Sequence, residues 1–164
     1  MHRTLIWVHR AVGAAIAIGI MELLARWDGE PLLRVPFVTS IVLVTAVPEI
    51  EAVRPAAVIF GHLLSSVAGL IALWTLGANE FATAAGVGLA TLLMLATRTL
   101  HPPAGINAFL VPANALSAWW ILNPVLLGSI LLAAFARLWR LSERALRRQI
   151  ERRQWALPPA AGEE

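Results

Sequence analysis

Residues 56–76 read AAVIFGHLLSSVAGLIALWTL, which is twenty-one residues without a charged side chain. A helix of about 20 apolar residues crosses the ~30 Å hydrocarbon core of a bilayer. The stretches 81–97 and 116–136 are also uncharged, over seventeen and twenty-one residues. A fourth stretch, 5–25, is long enough to span and carries its charges near its ends, where long side chains can reach the headgroups. The sequence therefore predicts an integral membrane protein built from helices.

The amino-acid composition indicates the same class of protein. Of the 164 residues, 59% are hydrophobic and 14% are charged, which lies outside the range of ordinary soluble domains. There is no cysteine, so disulfide scaffolds, thiolate metal sites and cysteine nucleophiles are excluded together. The N-terminal apolar stretch is not followed by a small-residue cleavage site, and we interpret it as an uncleaved first span.

Two shorter apolar segments, 35–47 and 102–113, lie between the long ones, and each opens with proline. They contain too few residues for an ordinary crossing. Shifting the sequence by 67 positions aligns these segments and the spans that follow them. The identical pairs are Pro36 and Pro103, Leu43 and Leu110, Val44 and Val111, Ala46 and Ala113, Val58 and Val125, Gly61 and Gly128, and Leu64 and Leu131. This order of long, short and long segments indicates an internal repeat.

The predicted fold is an all-α integral membrane protein with about six hydrophobic segments and repeat halves at roughly 5–76 and 80–138. If all six segments cross, the halves form an inverted repeat, the plan of many secondary transporters, and we favour this interpretation. If the short segments are re-entrant, the halves are parallel. Both arrangements gather most arginines and both termini on one side, which the positive-inside rule makes cytoplasmic. We expect a bacterial plasma membrane.

The transmembrane domain is assigned to residues 1–136, and a basic amphipathic helix to 137–156. Residues 137–155 read RLWRLSERALRRQIERRQW, with seven arginines and two glutamates. A basic helix next to a span is attracted to the anionic headgroups of the lipid bilayer, and we do not expect nucleic acid as a partner. Residues 157–164 are predicted to form a flexible tail.

The prolines of the short segments indicate where backbone donors are left free. Proline is tolerated in the first turn of a helix but not in its interior, so new helices should begin near Pro36 and Pro103. Free N–H groups of such a turn can bind an anion inside the membrane. Short helices of opposite polarity would then meet N-terminus to N-terminus and form a pocket. The polar residues expected to line it are Thr39, Ser40, Gly105 and Asn107. The alternative is that these residues only help helices to pack.

Three further residues are candidates to support this pocket. His62 lies within a span, where we expect it to be buried against a polar partner, and His101 precedes the proline pair, where we expect a hydrogen-bonding role. Arg98 could attract anions to a cytoplasmic mouth or pair with a lipid headgroup. No pair of histidines has the spacing of metal ligands, so we predict no metal or cofactor, and we do not expect His9, His62 and His101 to converge.

The stretch LATRTLHPPAG at 95–105 resembles the defining segment of the HPP family of integral membrane proteins. Arg54-Pro55 and the GHLLS run at 61–65 are similar to a second segment of that family. The likeness covers roughly 35–136, although Ile106-Asn107 and Val38-Thr39 stand where family members usually carry small residues. The resemblance implies a small helical membrane protein, and because some plastid and cyanobacterial members are associated with nitrite transport, it also implies a small-anion permease.

The function predicted from the sequence is that of a channel or transporter for a small inorganic anion, with nitrite as the candidate. The first alternative is a non-transporting accessory or regulatory subunit whose basic tail binds lipid or a partner. The second is an intramembrane enzyme that uses the histidines; the sequence shows no GxSxG, HExxH or phosphate-loop motif, and we expect no catalytic residues. A chain of this size is also expected to form a homo-oligomer.

Overall fold

The computed structural model describes residues 2–28 and 35–155, which contain helices and connecting turns but no strand. Its α-helices are α1 (His2–Asp28), α2 (Val35–Ala46), α3 (Pro55–Leu76), α4 (Glu80–Ala96), α5 (Gly105–Ala113) and α6 (Leu127–Trp155). Short 3₁₀ turns precede α3 and α5, at Glu51–Val53 and Pro102–Ala104. The prediction of an all-helical fold with six segments is confirmed. The expected tail at 157–164 lies outside the described residues.

In each half of the chain a short helix, α2 or α5, lies between two longer ones. The short helices α2 and α5 have 12 and 9 residues. As predicted, each begins near its proline: α2 at Val35, next to Pro36, and α5 at Gly105, two residues after Pro103. Two contacts between the halves are also reciprocal. A Cβ on Gly61 of α3 would lie 2.8 Å from the Cβ of His101, which precedes α5, and a Cβ on Gly128 of α6 would lie 2.5 Å from the ring of Phe37 in α2. In each half, an equivalent glycine therefore allows the start of the other half's short helix to pack closely against it.

Among the described residues, three helical stretches are long and apolar enough to cross a membrane: Arg3–Arg26, Pro55–Leu76 and Ile121–Arg152, the last of which includes the irregular turn before α6. The α4 helix has 17 residues, or about 26 Å of helix, and belongs with the shorter apolar helices. Large apolar side chains point outward, among them Phe81 and Leu92, which are 80% and 63% exposed. Such an apolar exterior is suited to lipid rather than to water. The chain is an integral membrane protein.

The α3 helix is the centre of the fold. It packs against α4, α5 and α6, and its residues Val58, His62 and Ala68 are fully buried. One apolar cluster joins α3 to α4 and α5 through Ala68, and another joins it to α1, α2 and α6 through Val58. Any polar side chain on the inner faces of α3 is therefore enclosed by the neighbouring helices.

The last span differs from the prediction at both ends. The stretch 116–136 was expected to be one helix, yet the backbone of Asn123 is extended, with φ −130° and ψ 117°, and regular helix begins only at Leu127. Pro124 explains the break, because it lacks an N–H donor and disfavours helical geometry in the residue before it. At the other end no boundary separates the span from the basic segment: α6 continues without a break to Trp155.

Basic residues from distant parts of the sequence meet at one end of the bundle, which we call the arginine-rich end. Here Arg10 of α1 contacts Glu143 of α6, and Arg140 of α6 donates to the carbonyl of Val53, just before α3. His101 contacts the neighbouring carbonyl of Ala52. The charge pattern predicted this grouping. That the arginine-rich end is cytoplasmic stays a prediction.

Candidate functional site

Four polar side chains form a buried cluster between α2, α3 and α5, which we call the polar centre. They are Ser40 of α2, His62 of α3, His101 before α5, and Asn107 of α5, and each is 0% exposed. A buried polar group is costly unless it forms hydrogen bonds, and in a membrane there is little water inside the bundle to supply them. The four side chains bond to one another and to nearby backbone carbonyls, which fixes their relative geometry.

Local sequence explains why His101 reaches this cluster. The α4 helix ends at Ala96, and the chain turns through Arg98, whose φ is +55°. His101 then adopts an extended conformation, as expected for a residue that precedes proline. Because Gly61 has no side chain, the backbone at His101 can approach α3 closely enough for its ring to enter the bundle.

A continuous series of hydrogen bonds connects the polar centre to the arginine-rich end. His101 Nδ1 lies 2.7 Å from the carbonyl oxygen of Ala52, and His101 Nε2 lies 3.0 Å from Ser40 Oγ. Ser40 Oγ lies 3.0 Å from His62 Nε2, and His62 Nδ1 lies 3.0 Å from Asn107 Nδ2. The two imidazole centroids are 5.3 Å apart. The histidines are thus joined through a single serine hydroxyl.

One arrangement of hydrogens satisfies every link when both histidines are neutral. A carbonyl oxygen only accepts, so His101 Nδ1 donates to Ala52 and its Nε2 must accept the proton of Ser40. The amide nitrogen of Asn107 only donates, so His62 Nδ1 accepts and His62 Nε2 donates to Ser40 Oγ. Asn107 Nδ2 also donates to the His62 carbonyl at 3.1 Å, which fixes the orientation of the carboxamide.

The two buried histidines are therefore expected to be opposite neutral tautomers. Solid-state NMR of labelled imidazole nitrogens in the bilayer-embedded protein should show His62 protonated at Nε2 and His101 protonated at Nδ1. Replacing either residue by glutamine assigns the two signals. The same tautomer at both positions would contradict the donor and acceptor roles derived from the contacts.

Asn107 retains an unused acceptor inside the bundle. Its Oδ1 is buried and has no hydrogen-bond partner among the described residues. Two further buried serines are satisfied nearby: Ser65 accepts from the backbone N–H of Ala108 at 3.1 Å, and Ser66 donates to the His62 carbonyl at 2.9 Å. An orphan acceptor in a native fold requires an explanation, and a bound water or solute is the ordinary one.

The backbone amides at the start of α5 are occupied, contrary to the predicted arrangement of free donors. The N–H of Ala104 donates to the His101 carbonyl at 2.9 Å, and that of Gly105 to the carbonyls of Pro102 and Pro103. The reason is the 3₁₀ turn, which closes tighter hydrogen bonds within the first turn itself. The contact between the start of this turn and α2 is made by side chains, since His101 lies against Ser40 in the second turn of α2. The polar centre consists of side chains.

The seven predicted site residues are only partly brought together. Ser40, His62, His101 and Asn107 converge, whereas Thr39 and Arg98 are exposed and Gly105 is half-buried. His62 and His101 have the buried polar partners expected of them. Their approach to each other was not expected, whereas His9 lies apart from them, with its Nε2 2.9 Å from Ser142 Oγ.

One cluster was not anticipated from the sequence. Glu143, within the arginine-rich segment, is only 5% exposed. Arg10 binds it in a bidentate manner, with Nε and Nη2 each 3.0 Å from a carboxylate oxygen, and Arg147 binds it from the next turn. Arg10 also donates to the carbonyl of Ala46 at 2.7 Å and pairs with Glu49. This cluster holds α1, the end of α2 and α6 together through hydrogen bonds and ion pairs.

An open cavity of about 320 Å³ lies near the connection between α3 and α4 and the end of α5. Its polar lining consists of Asn79, Glu80 and Thr83, and its apolar lining includes Phe109 and Pro112. The cavity does not include the polar centre, although Asn107 lies only two residues before Phe109 on α5. Among the described residues, no group of three or more histidine, aspartate or glutamate side chains is arranged to hold a metal ion.

Comparison with known proteins finds similarity to two proteins that are named as transmembrane proteins. The chain is 35% identical to a transmembrane protein of Dictyostelium discoideum over 104 residues, which is 58% of this chain and 36% of the relative. A second Dictyostelium discoideum transmembrane protein is 31% identical over 102 residues, which is 57% of this chain and 33% of the relative. The match thus spans about a third of the length of these relatives. No solved structure matches the chain.

The family comparison covers the helices that build the polar centre. A family model described as "HPP, transmembrane region" matches residues 1–149, from α1 into the basic part of α6. The matched range includes Ser40, His62, His101 and Asn107, and the His101-Pro102-Pro103 segment agrees with the family's name. The chain therefore belongs to the HPP family of transmembrane proteins.

Proposed function

We propose that this protein transports a small inorganic anion and that the polar centre is its solute site, with nitrite as the candidate suggested by the family resemblance. The observation that carries the proposal is the meeting of Ser40 and Asn107, each within 3.0 Å of one nitrogen of His62. They occupy equivalent positions of the repeat on the two proline-led helices. Polar side chains are expensive within a membrane and commonly mark a solute pathway.

The chemistry of the polar centre is suited to a small anion that must be released again. The Asn107 amide, the Ser40 hydroxyl and the His62 Nε2–H are neutral donors, and no lysine or arginine is hydrogen-bonded to them among the described residues. Neutral donors can replace part of an anion's hydration without holding it as tightly as a fixed positive charge would. Exposed Arg98 lies three residues before His101 and would raise the local anion concentration.

Nitrite uptake into proteoliposomes tests this proposal. Replacing both Asn107 with leucine and Ser40 with alanine removes two of the donors, and we expect uptake to fall at least about tenfold, the effect of losing about 1.4 kcal/mol of stabilisation. Ser66→Ala is the matched control, because Ser66 is equally buried but donates only to the carbonyl of His62 in its own helix. Unchanged uptake in the double variant would exclude the polar centre as the solute site.

The alternative is a non-transporting accessory subunit, and the closure of the polar centre favours it. All four side chains are fully enclosed, so a solute needs a conformational change to reach them. The two functions predict different results for the unmodified protein: a subunit without transport activity gives no nitrite uptake above protein-free vesicles. Binding of the basic part of α6 to a partner would then be the property to measure.

We favour transport over hydrolysis, although Ser40 and His101 have the spacing of a nucleophile and its base. An acyl substrate would have to reach Ser40 Oγ, which is fully buried. It would also compete with His62 Nε2 for the same oxygen, at 3.0 Å. The same contacts are those expected of a group that passes a proton.

A further inference from the structure

We propose that the anion moves together with a proton, and that His62, Ser40 and His101 form the relay through which this proton passes between the polar centre and the arginine-rich end. The inference rests on the proposed transport function. It goes beyond that function by naming the coupling ion and the side chains that carry it.

The geometry provides each step of such a relay. A proton that arrives with the anion binds to His62 Nδ1, where it replaces the hydrogen bond from Asn107. His62 Nε2 then releases its own proton to Ser40 Oγ, and the Ser40 hydroxyl proton passes to His101 Nε2; both links are 3.0 Å. One N–H bond and one O–H bond break while one O–H and one N–H bond form. His62 ends neutral, and His101 ends with a proton on both nitrogens.

The outer end of the relay lies where the proton can leave. His101 Nδ1 is hydrogen-bonded to the Ala52 carbonyl, which belongs to the turn before α3 at the arginine-rich end. Ala52 itself is partly exposed, whereas Ser40 and His62 are fully buried. When water replaces this carbonyl as the acceptor, the Nδ1 proton departs and the neutral His101 tautomer with Nε2 protonated remains. The starting state is restored when each ring exchanges a hydrogen with water: His62 loses the one on Nδ1 and gains one on Nε2, and His101 loses the one on Nε2 and gains one on Nδ1, with no net transfer of protons.

The surroundings of the two rings explain why proton and anion should move together. Among the described residues, the hydrogen-bond and ring partners of the two imidazoles are Ser40 and Phe37 from α2, Asn107 from α5, the other histidine, and the Ala52 carbonyl. None of these contacts supplies a carboxylate or an arginine. A proton on either ring would therefore be an uncompensated charge in the membrane, and so would an anion beside Ser40 and Asn107. Bound together they neutralise each other, which is a favourable coupling between the two sites.

The unused acceptor of Asn107 is consistent with this arrangement. Its Oδ1 is buried without a partner, beside the His62 nitrogen where the proton would arrive. A protonated solute or a water carried with it supplies the missing donor. The inner end of the relay thus has a donor for the anion, Nδ2, and an acceptor for the accompanying hydrogen, Oδ1, on the same carboxamide.

The test measures nitrite and proton fluxes separately in the same proteoliposomes, with a pH-sensitive dye inside and the membrane potential clamped by potassium and valinomycin. We expect an inward nitrite gradient to acidify the interior with one proton per nitrite, at a rate independent of the imposed potential. Protein-free vesicles give the background of nitrous acid that crosses lipid unaided. Nitrite entry without acidification would overturn the relay but leave the transport function standing, whereas the absence of nitrite entry would overturn the transport function itself.

Variants of Ser40 then test the relay. Ser40→Ala removes the hydroxyl that joins the histidines and should lower the proton flux at least about tenfold, whereas Ser40→Thr keeps the hydroxyl and should retain most of it. Ser66→Ala should behave like the unmodified protein. A proton flux that is unchanged in Ser40→Ala would exclude the relay. The proton-to-nitrite ratio of the unmodified protein decides the matter even if the alanine variant does not fold.

Discussion

Replacing Arg10 with methionine should lower the midpoint of thermal unfolding in detergent by roughly 6–12 °C. The substitution removes a bidentate pair with Glu143 and the donor to the Ala46 carbonyl at the end of α2. Glu143 would stay buried with Arg147 as its remaining partner. Breaking a buried ion pair costs about 3–5 kcal/mol, and the partner that remains places this case near the lower value. For a chain of this length, each 1 kcal/mol shifts the midpoint by about 2–4 °C.

Arg54→Met is the matched control for this prediction. Arg54 also has a carboxylate partner, Glu51, but at 3.9 Å, and its side chain is 54% exposed. Exposed pairs of this kind contribute about 0–1 kcal/mol, so the midpoint should change by no more than about 4 °C. Equal shifts for the two variants would show that burial of the Arg10 cluster does not stabilise the bundle.

Replacing Gly61 with alanine should destabilise the protein by about 1–3 kcal/mol and abolish most of the nitrite uptake. The new Cβ would lie 2.8 Å from His101 Cβ and 3.2 Å from the carbonyl oxygen of Thr99. Neither atom is at the free end of a flexible side chain, so the backbone before α5 must shift. His101 would then lose its 3.0 Å contact with Ser40. Thermal unfolding and proteoliposome uptake measure the two effects.

Gly88→Ala separates this steric effect from the general effect of replacing glycine in a helix. Gly88 lies within α4, and no atom is within 4 Å of the position its Cβ would occupy. Alanine favours helix by about 1 kcal/mol over glycine, so stability should stay the same or rise, with transport unchanged. A loss of stability at Gly88 similar to that at Gly61 would contradict the close packing of α3 against His101.

The helices could be predicted from sequence because each depends on a property of a continuous segment. The long uncharged stretch 56–76 predicted α3, and the proline pair at Pro102-Pro103 predicted the break before α5. The prediction failed at 116–136, where the absence of charge concealed the extended backbone at Asn123. Pro124 was the available signal, since proline in a helix interior removes a hydrogen bond whether or not its neighbours are apolar.

The polar centre could be predicted only one residue at a time. That Ser40, His62, His101 and Asn107 carry polar groups into the bundle followed from their positions in or beside apolar segments. Their convergence depends on how closely α2, α3 and α5 approach one another. A glycine such as Gly61 permits a close approach, but the sequence alone does not show that the approach occurs. The predicted free amides are absent at the start of α5, because the 3₁₀ turn uses them in tighter hydrogen bonds within the turn itself.

Burial of Glu143 was not predicted, because one of two glutamates among seven arginines resembles an ordinary solvated charge. Its distance along the chain from buried apolar residues of α6 indicates that it lies on the buried face of the helix. Glu143 follows Leu132 and Ala136 by eleven and seven residues, which places all three on one face of a helix, and both of those apolar residues are buried. A charge on the buried face of a helix needs a partner from elsewhere, and Arg10 is that partner.

Because α6 is a single continuous helix, it connects the Glu143 cluster to the packing around Phe37. About 22 Å of helix separates Glu143 from Gly128, against which the ring of Phe37 rests. That ring lies 4.9 Å from the imidazole of His62. A tilt or axial turn imposed on the outer end of α6 would therefore act, through Phe37, on the packing around His62 in the polar centre.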